Sequence, residues 1–174
     1  MADLRTFIRD IPGFPKPGIV FKDIMPLVAD AAAFRQAVGE LAEFARPLAP
    51  DIVLGAEARG FIFGSALAYE MGIGFAAARK PGKLPYETIR ATYALEYGTD
   101  ALELHRDAIA EGTRVLIHDD LLATGGTAKA KVDLVEQLGG IPVGAAFVIE
   151  LSFLSGREAL APLPVHSLMA FDAE

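Results

Sequence analysis

Arg114-Val115-Leu116-Ile117-His118-Asp119-Asp120-Leu121-Leu122-Ala123-Thr124-Gly125-Gly126-Thr127 is the stretch that decides the fold. Its first half is a short run of buried-strand residues, Arg114 to His118. Its second half sends two adjacent carboxylates off the strand and closes with a small-residue loop that opens a helix. A continuous apolar strand followed by a helix is the pattern of a parallel sheet covered on both faces. The same unit recurs on either side. Ile52-Val53-Leu54-Gly55 precedes a helix ending near Met71, and Ile73–Ala78 gives another strand. The helix after Thr127 carries Val132, Leu134, Val135 and Leu138 and stops at Gly139-Gly140, and Ile141–Ile149 and Val165–Ala170 give the last strands. The spacing predicts an α/β fold, a doubly wound and mainly parallel sheet flanked by helices.

Outside this frame, Asp3 caps a short first helix ending near Pro12-Gly13, and 14–23 is irregular before an extended end. Asp30 is the N-cap of a long helix to about Ala45, with Phe34, Val38, Leu41 and Ala45 on one face. Residues 88–105 read as a hairpin that turns at Tyr97-Gly98-Thr99-Asp100.

At 174 residues the chain is one domain, 1–174, with enough length for a substantial core. Apolar residues make up 52% and charged residues 22%, which excludes a disordered chain. The absence of cysteine excludes a disulfide framework, thiol catalysis and thiolate metal sites, and points to a reducing compartment. The longest nearly apolar stretch, Gly60–Tyr69, is half of the ~20 residues a membrane helix needs. Met1–Arg5 lacks a signal-peptide core, so the expectation is a cytoplasmic protein without a membrane partner. A formal net charge of −7 without a basic run disfavours nucleic acid as a partner. Against that acidity, Arg79, Lys80, Lys83 and Arg90 gather four cations around one Glu87. This is either a solvated basic loop or a mobile clamp for a small anion.

In parallel sheets of this kind ligands bind at the carboxyl ends of the strands, which puts the candidate site after Ile117. Gly125 and Gly126 let the backbone curl with its N–H groups inward. Thr124 and Thr127 add hydroxyl donors, and the helix dipole adds positive charge. That is a receptor for one phosphate, though not a Walker loop, because the Gly-Lys-Ser/Thr ending is absent. Asp119 and Asp120 would repel phosphate and suit sugar hydroxyls, so ribose 5-phosphate matches the combination. Held at a strand end for a ligand, neither carboxylate is expected to contribute to packing. The three histidines are scattered and make no metal site; His118 reads as a packed strand residue, and His105 and His166 as structural.

The Asp119–Thr127 run resembles the phosphoribosyl-diphosphate signature of the type I phosphoribosyltransferases. The likeness extends in order through Phe14–Ile24, Glu57–Phe61, Arg79–Pro85, Tyr93–Gly98 and Gly156-Arg157-Glu158. It implies a small N-terminal hood over 1–29, a flexible hairpin loop over 79–100, and a homodimer. The implied reaction is purine salvage: transfer of the phosphoribosyl group from 5-phosphoribosyl 1-diphosphate to adenine, giving AMP and diphosphate.

By the same resemblance Asp119 and Asp120 hold the ribose, and Ala123, Thr124, Gly125, Gly126 and Thr127 hold the 5′-phosphate. Arg59, Lys80 and Lys83 face the diphosphate; Val20, Phe21 and Lys22 line the adenine; Glu96 is the acid/base. Mg²⁺ comes in mainly on the substrate diphosphate, with no protein-only metal cage. Lys22 stands where many relatives carry arginine and lacks that residue's planar fork. Two other readings remain open, a sister enzyme for another base and a non-catalytic nucleotide-sensing regulator of the same fold; an unrelated phosphate-binding module is explained away by the other motifs.

Overall fold

The computed structural model describes residues 2–94 and 98–173. Its main sheet has five strands, all parallel: β3 (Ile52–Ala56), β4 (Gly74–Ala78), β7 (Arg114–Leu122), β8 (Ile141–Leu151) and β9 (Val165–Phe171). Their order is β4-β3-β7-β8-β9. Because side chains alternate along a strand, each strand feeds two cores. Val53, Leu116, Ala146 and Val148 pack with α2 (Ala31–Ala45) and α3 (Arg59–Met71) on one face. Leu54, Val115, Ile117, Ala145 and Phe147 pack with α4 (Gly126–Gln137) on the other. The expected doubly wound α/β architecture is present.

A two-stranded antiparallel hairpin, β5 (Thr88–Ala94) with β6 (Thr99–His105), covers the α4 face with Ala91, Leu102 and Leu104. A smaller pair, β1 (Arg9–Pro12) with β2 (Val20–Asp23), forms a flap ahead of α1 (Met25–Ala29). Asp30 caps α2 as expected, its Oδ1 accepting the N–H groups of Ala32 and Ala33.

Three local expectations differ. Asp3 does cap, but it opens a single 3-10 turn at Leu4–Phe7, and the chain then extends into β1 because Arg9–Pro12 pair with Val20–Asp23. Thr99 and Asp100, expected in the hairpin turn, already lie in β6 and pair with Ala94 and Tyr93, while Tyr97 lies outside the described residues. Most consequential, Asp119 and Asp120 do not leave the strand at Ile117. β7 runs on to Leu122 because the eleven-residue β8 offers partners as far as Glu150. The carboxylates therefore stand inside the sheet's carboxyl end, with only 8% and 6% of their surface exposed.

Candidate active site

Beyond Leu122 the chain turns through Ala123-Thr124-Gly125 into α4. Gly125 has φ +88°, and a Cβ there would lie 2.5 Å from the Gly156 carbonyl oxygen. Gly156 is equally constrained, since its Cβ would meet the Ala123 carbonyl oxygen at 2.2 Å. The loop is thus pressed backbone to backbone against the Gly156–Leu160 turn, and only glycine permits the approach. Arg157 pins that turn from behind. Its Nε and Nη2 donate to both oxygens of buried Glu150 at 2.7 and 2.6 Å, and its Nη1 donates to the Val165 carbonyl. The Arg157 guanidinium holds the Glu150 carboxyl below the usual carboxylate range.

A cavity of about 250 Å³ opens over this loop, walled by 119–128, Ala56, Glu57, Arg59, Lys80, Tyr93, Ala94 and Leu102. Among the five residues assigned by sequence to phosphate, Ala123 through Thr127, all line it, as do Asp119, Asp120, Arg59 and Lys80. Lys83 does not. It is exposed, while its backbone N–H donates to the Lys80 carbonyl. Glu57 organises the entry to the basic segment: its carboxylate accepts the Lys80 backbone N–H at 2.6 Å and Arg79 Nη2 at 3.2 Å. Lys80 Nζ is itself held by Asp100 and by the Tyr93 hydroxyl. The basic segment is therefore tied to the hairpin by the Lys80–Asp100 ion pair.

The two aspartates have different environments. Asp119 Oδ2 pairs with Lys131 Nζ at 2.7 Å, and its Oδ1 accepts the Asp120 N–H at 3.1 Å. A Cβ on Gly60 would lie 2.5 Å from that Oδ1, so the start of α3 needs glycine there. Asp120 Oδ2 meets Arg59 Nε at 2.8 Å. Burial, reinforced by the neighbouring Asp119 charge, pushes the Asp120 carboxyl up to about 7. The expectation that both carboxylates are idle in packing fails for Asp119, which neutralises a fully buried lysine. Lys131, at 0% exposure, was missed because a lone Lys in an Ala-Lys-Ala-Lys helix turn reads as surface charge. His118 is packed inside the sheet as expected, and burial lowers its imidazole to about 4. His166 stacks on Phe44, and His105 meets Tyr86 edge-on.

A second, more apolar cavity of about 640 Å³ lies under the β1–β2 flap. Lys16, Pro17, Gly18, Ile19, Val20 and Lys22 line one side, and Leu151, Phe153 and Leu154 the other. Thr124 lines both cavities, which therefore adjoin at the phosphate loop. Val20 faces this space. Phe21 does not line it; its ring packs edge-on against Phe14 and carries the Arg59 guanidinium 4.7 Å from its centre. The Lys22 ammonium is turned elsewhere, bound to Asp10 at 2.9 Å and set 4.7 Å from the Phe171 ring centre. Sequence reasoning missed the Phe153-Leu154 wall, for which no local motif exists. Glu96 lies outside the described residues.

Among the described residues no group of three or more His, Cys, Asp or Glu side chains is placed to cage a metal ion. The nearest carboxylates, Asp119 and Asp120, already have cationic partners. Among the described residues no helix is long and apolar enough to cross a membrane.

A strand-end carboxylate pair, a glycine loop on a helix N-terminus and facing cations make an arrangement chemically suited to a phosphorylated sugar. Comparison with known proteins agrees. Residues 28–158 match the family model of the phosphoribosyl transferase domain. The adenine phosphoribosyltransferase of Brevibacillus brevis is 57% identical, over 97% of this chain and 99% of that protein. The crystal structure of the Thermoanaerobacter pseudethanolicus enzyme superposes with a TM-score of 0.95 at 52% identity, covering 97% and 98% of the two chains. That of the Saccharomyces cerevisiae enzyme, complexed with an imino-altritol bisphosphate and adenine, gives 0.89 at 41% identity over 95% and 96%. The chain belongs to the phosphoribosyltransferase family and, within it, to the adenine phosphoribosyltransferases.

Proposed function

We propose that the two adjoining cavities divide one reaction between them: the phosphoribosyl group of 5-phosphoribosyl 1-diphosphate in the first, adenine in the second. The observation that carries this reading is Thr124, the residue common to a polar, loop-floored cavity and an apolar one. In the first, the backbone from Ala123 to Thr127 receives the 5′-phosphate, and Asp119 and Asp120 accept the ribose hydroxyls. Arg59 and Lys80 face the diphosphate, and Lys83 approaches from the basic segment. Mg²⁺ belongs to the substrate, carried on its diphosphate oxygens, a setting that suits a hard octahedral ion better than these already paired carboxylates.

In the second cavity, Val20 gives the purine an apolar seat, and the ring of Phe21, the next residue of β2 and outside the cavity lining, is proposed to add stacking surface. A backbone N–H and C=O of one residue can donate to adenine N1 and accept from its 6-amino group. A 6-oxo purine presents the opposite pattern and leaves both unpaired. The Lys22 ammonium, occupied by Asp10, contributes by anchoring β2. As C1′ parts from diphosphate, positive charge develops on the sugar and negative charge on the leaving group. Arg59 and Lys80 stabilise the latter, and closure of the 79–100 segment excludes water. Purine N9 then bonds to C1′, and adenine loses its N9 proton. Glu96 is the proposed acceptor, a role resting on its place in the Tyr93–Gly98 segment. A homodimer is part of the same proposal and rests on the family resemblance; a cytoplasmic location rests on the absence of cysteine.

The experiment is direct: incubate the protein with phosphoribosyl diphosphate, Mg²⁺ and adenine, and identify the products. AMP and diphosphate in equal amounts are expected. Failure to form AMP while the substrate is bound would favour a nucleotide-sensing regulator.

A further inference from the structure

The chain between β8 and β9 backs both cavities at once. Its first part, with Phe153 and Leu154 following Leu151 at the end of β8, walls the apolar cavity. Its second part presses on the phosphate loop: a Cβ on Gly125 would lie 2.5 Å from the Gly156 carbonyl oxygen and 2.8 Å from the Ala159 Cβ. Ser155 joins the two parts in a left-handed backbone conformation, φ +54°. Placement of the base wall against the phosphate seat therefore depends on what holds this connection to the sheet. Ser152 Oγ donates to the Phe171 carbonyl at 3.0 Å and fixes the first part. Arg157 fixes the second, through Glu150 and the Val165 carbonyl. Glu150 is buried and directly precedes Leu151, so the guanidinium reaches back to the strand end from which the base wall departs. Across the sheet Glu150 is paired with Leu122, the last residue of β7 before the phosphate loop.

We infer that Arg157 is a positioning residue that sets the base seat against the phosphoribosyl seat, a role that rests on the proposed function. A buried ion pair is by itself weak support for stability, because desolvation of the charges offsets their attraction. What this pair supplies is direction. Two N–H···O bonds, at 2.7 and 2.6 Å, fix the guanidinium plane to the Glu150 carboxylate. A third, at 2.8 Å, ties the same plane to Val165, the first residue of β9. Arg157 lines neither cavity and acts through the connection it holds. The reaction needs that placement, since C1′ in one seat and N9 in the other must come within about 3–3.5 Å. A small rotation of the connection leaves each seat usable by its own ligand and spoils their register.

AMP, the product that spans both seats, reads this register, whereas adenine and ribose 5-phosphate each read one seat. Arg157→Gln removes the fork, and NMR titration measures the affinity of all three ligands for the variant and the wild type. AMP should bind roughly tenfold or more weakly, because its two halves no longer engage together. Adenine and ribose 5-phosphate should each stay within about threefold of the wild type. A loss for either part that matches the loss for AMP, or AMP affinity within about threefold of the wild type, overturns the inference and leaves Arg157 a structural ion pair. Arg157→Lys keeps the charge facing Glu150 without the fork, and should show the same pattern at smaller size. It carries the test if the glutamine variant does not fold, and wild-type AMP affinity in it overturns the inference. Wild-type protein that binds none of the three ligands would instead contradict the proposed function.

Discussion

The two cavities that meet at Thr124 are built in opposite ways. The polar one is largely a product of one continuous segment, Asp119–Ala128, folded over the end of β7 and backed by Gly156. The apolar one is assembled from three separate stretches: 16–20 with Lys22, Thr124, and Leu151 with Phe153-Leu154. The first is rigid by construction, with glycines in backbone contact and its aspartates bound to buried or helix-borne cations. The second depends on how a two-stranded flap sits against the end of β8. The contrast teaches that charge recognition here is fixed locally, whereas base recognition is a tertiary property.

The sharpest way to break the polar side is Gly125→Ala. An added Cβ must occupy a left-handed backbone position while clashing with the Gly156 carbonyl. The kcat/KM for phosphoribosyl diphosphate should fall by roughly 100-fold or more, on the scale of losing an oxyanion-type donor. A loss of less than about threefold would mean the loop does not seat the phosphate.

Next in size is a stability difference between the paired aspartates. Asp119→Asn leaves Lys131 charged and buried, and should cost on the order of 3 kcal/mol in urea unfolding. Asp120→Asn removes a carboxylate whose partner Arg59 can turn to water, and should cost less than about 1 kcal/mol. Equal costs would erase the distinction. The pH dependence sharpens it further. Asp120 is raised from 3.8 to about 7 in the folded chain, so between those values the folded state binds more protons than the unfolded. This residue's contribution to stability therefore declines as pH rises through that window. The Tm of Asp120→Asn should gain on the wild type from about pH 4 to about pH 7. A difference independent of pH contradicts the assignment.

The mildest test falls on the apolar side. Phe21→Ala removes the ring beneath Arg59 and the stacking surface proposed for the purine. It should raise KM for adenine by roughly tenfold, a loss of the order of 1–2 kcal/mol, and leave KM for phosphoribosyl diphosphate within about threefold. Equal effects on both substrates would show that the two cavities are not separate.

This division also explains what could be read from the chain. Asp119–Thr127 was legible because its chemistry is local: adjacent carboxylates, a glycine turn and a helix start occur within nine residues. The alternating strands and Asp30 were legible for the same reason, since periodicity and capping are short-range signals. Lys131 was not, because only the packing of α4 onto β7 turns an apparent surface lysine into the buried partner of Asp119. The extension of β7 through the aspartates depended on the length of β8, which is nonlocal. Phe153 and Leu154 carry no pattern until the flap is folded over them. Lys22 was legible as a member of β2, but only the proximity of Asp10 and Phe171 reveals where its ammonium goes.

The central claim, that the apolar cavity reads a 6-aminopurine while the polar one holds the phosphoribosyl group, is tested most directly by base discrimination. The measurement is kcat/KM for adenine and for hypoxanthine at saturating phosphoribosyl diphosphate and Mg²⁺. Reversing a donor and an acceptor at the base edge leaves two backbone groups unpaired, worth about 3 kcal/mol or more. The account predicts a preference for adenine of at least ~100-fold; comparable values for the two bases would contradict it.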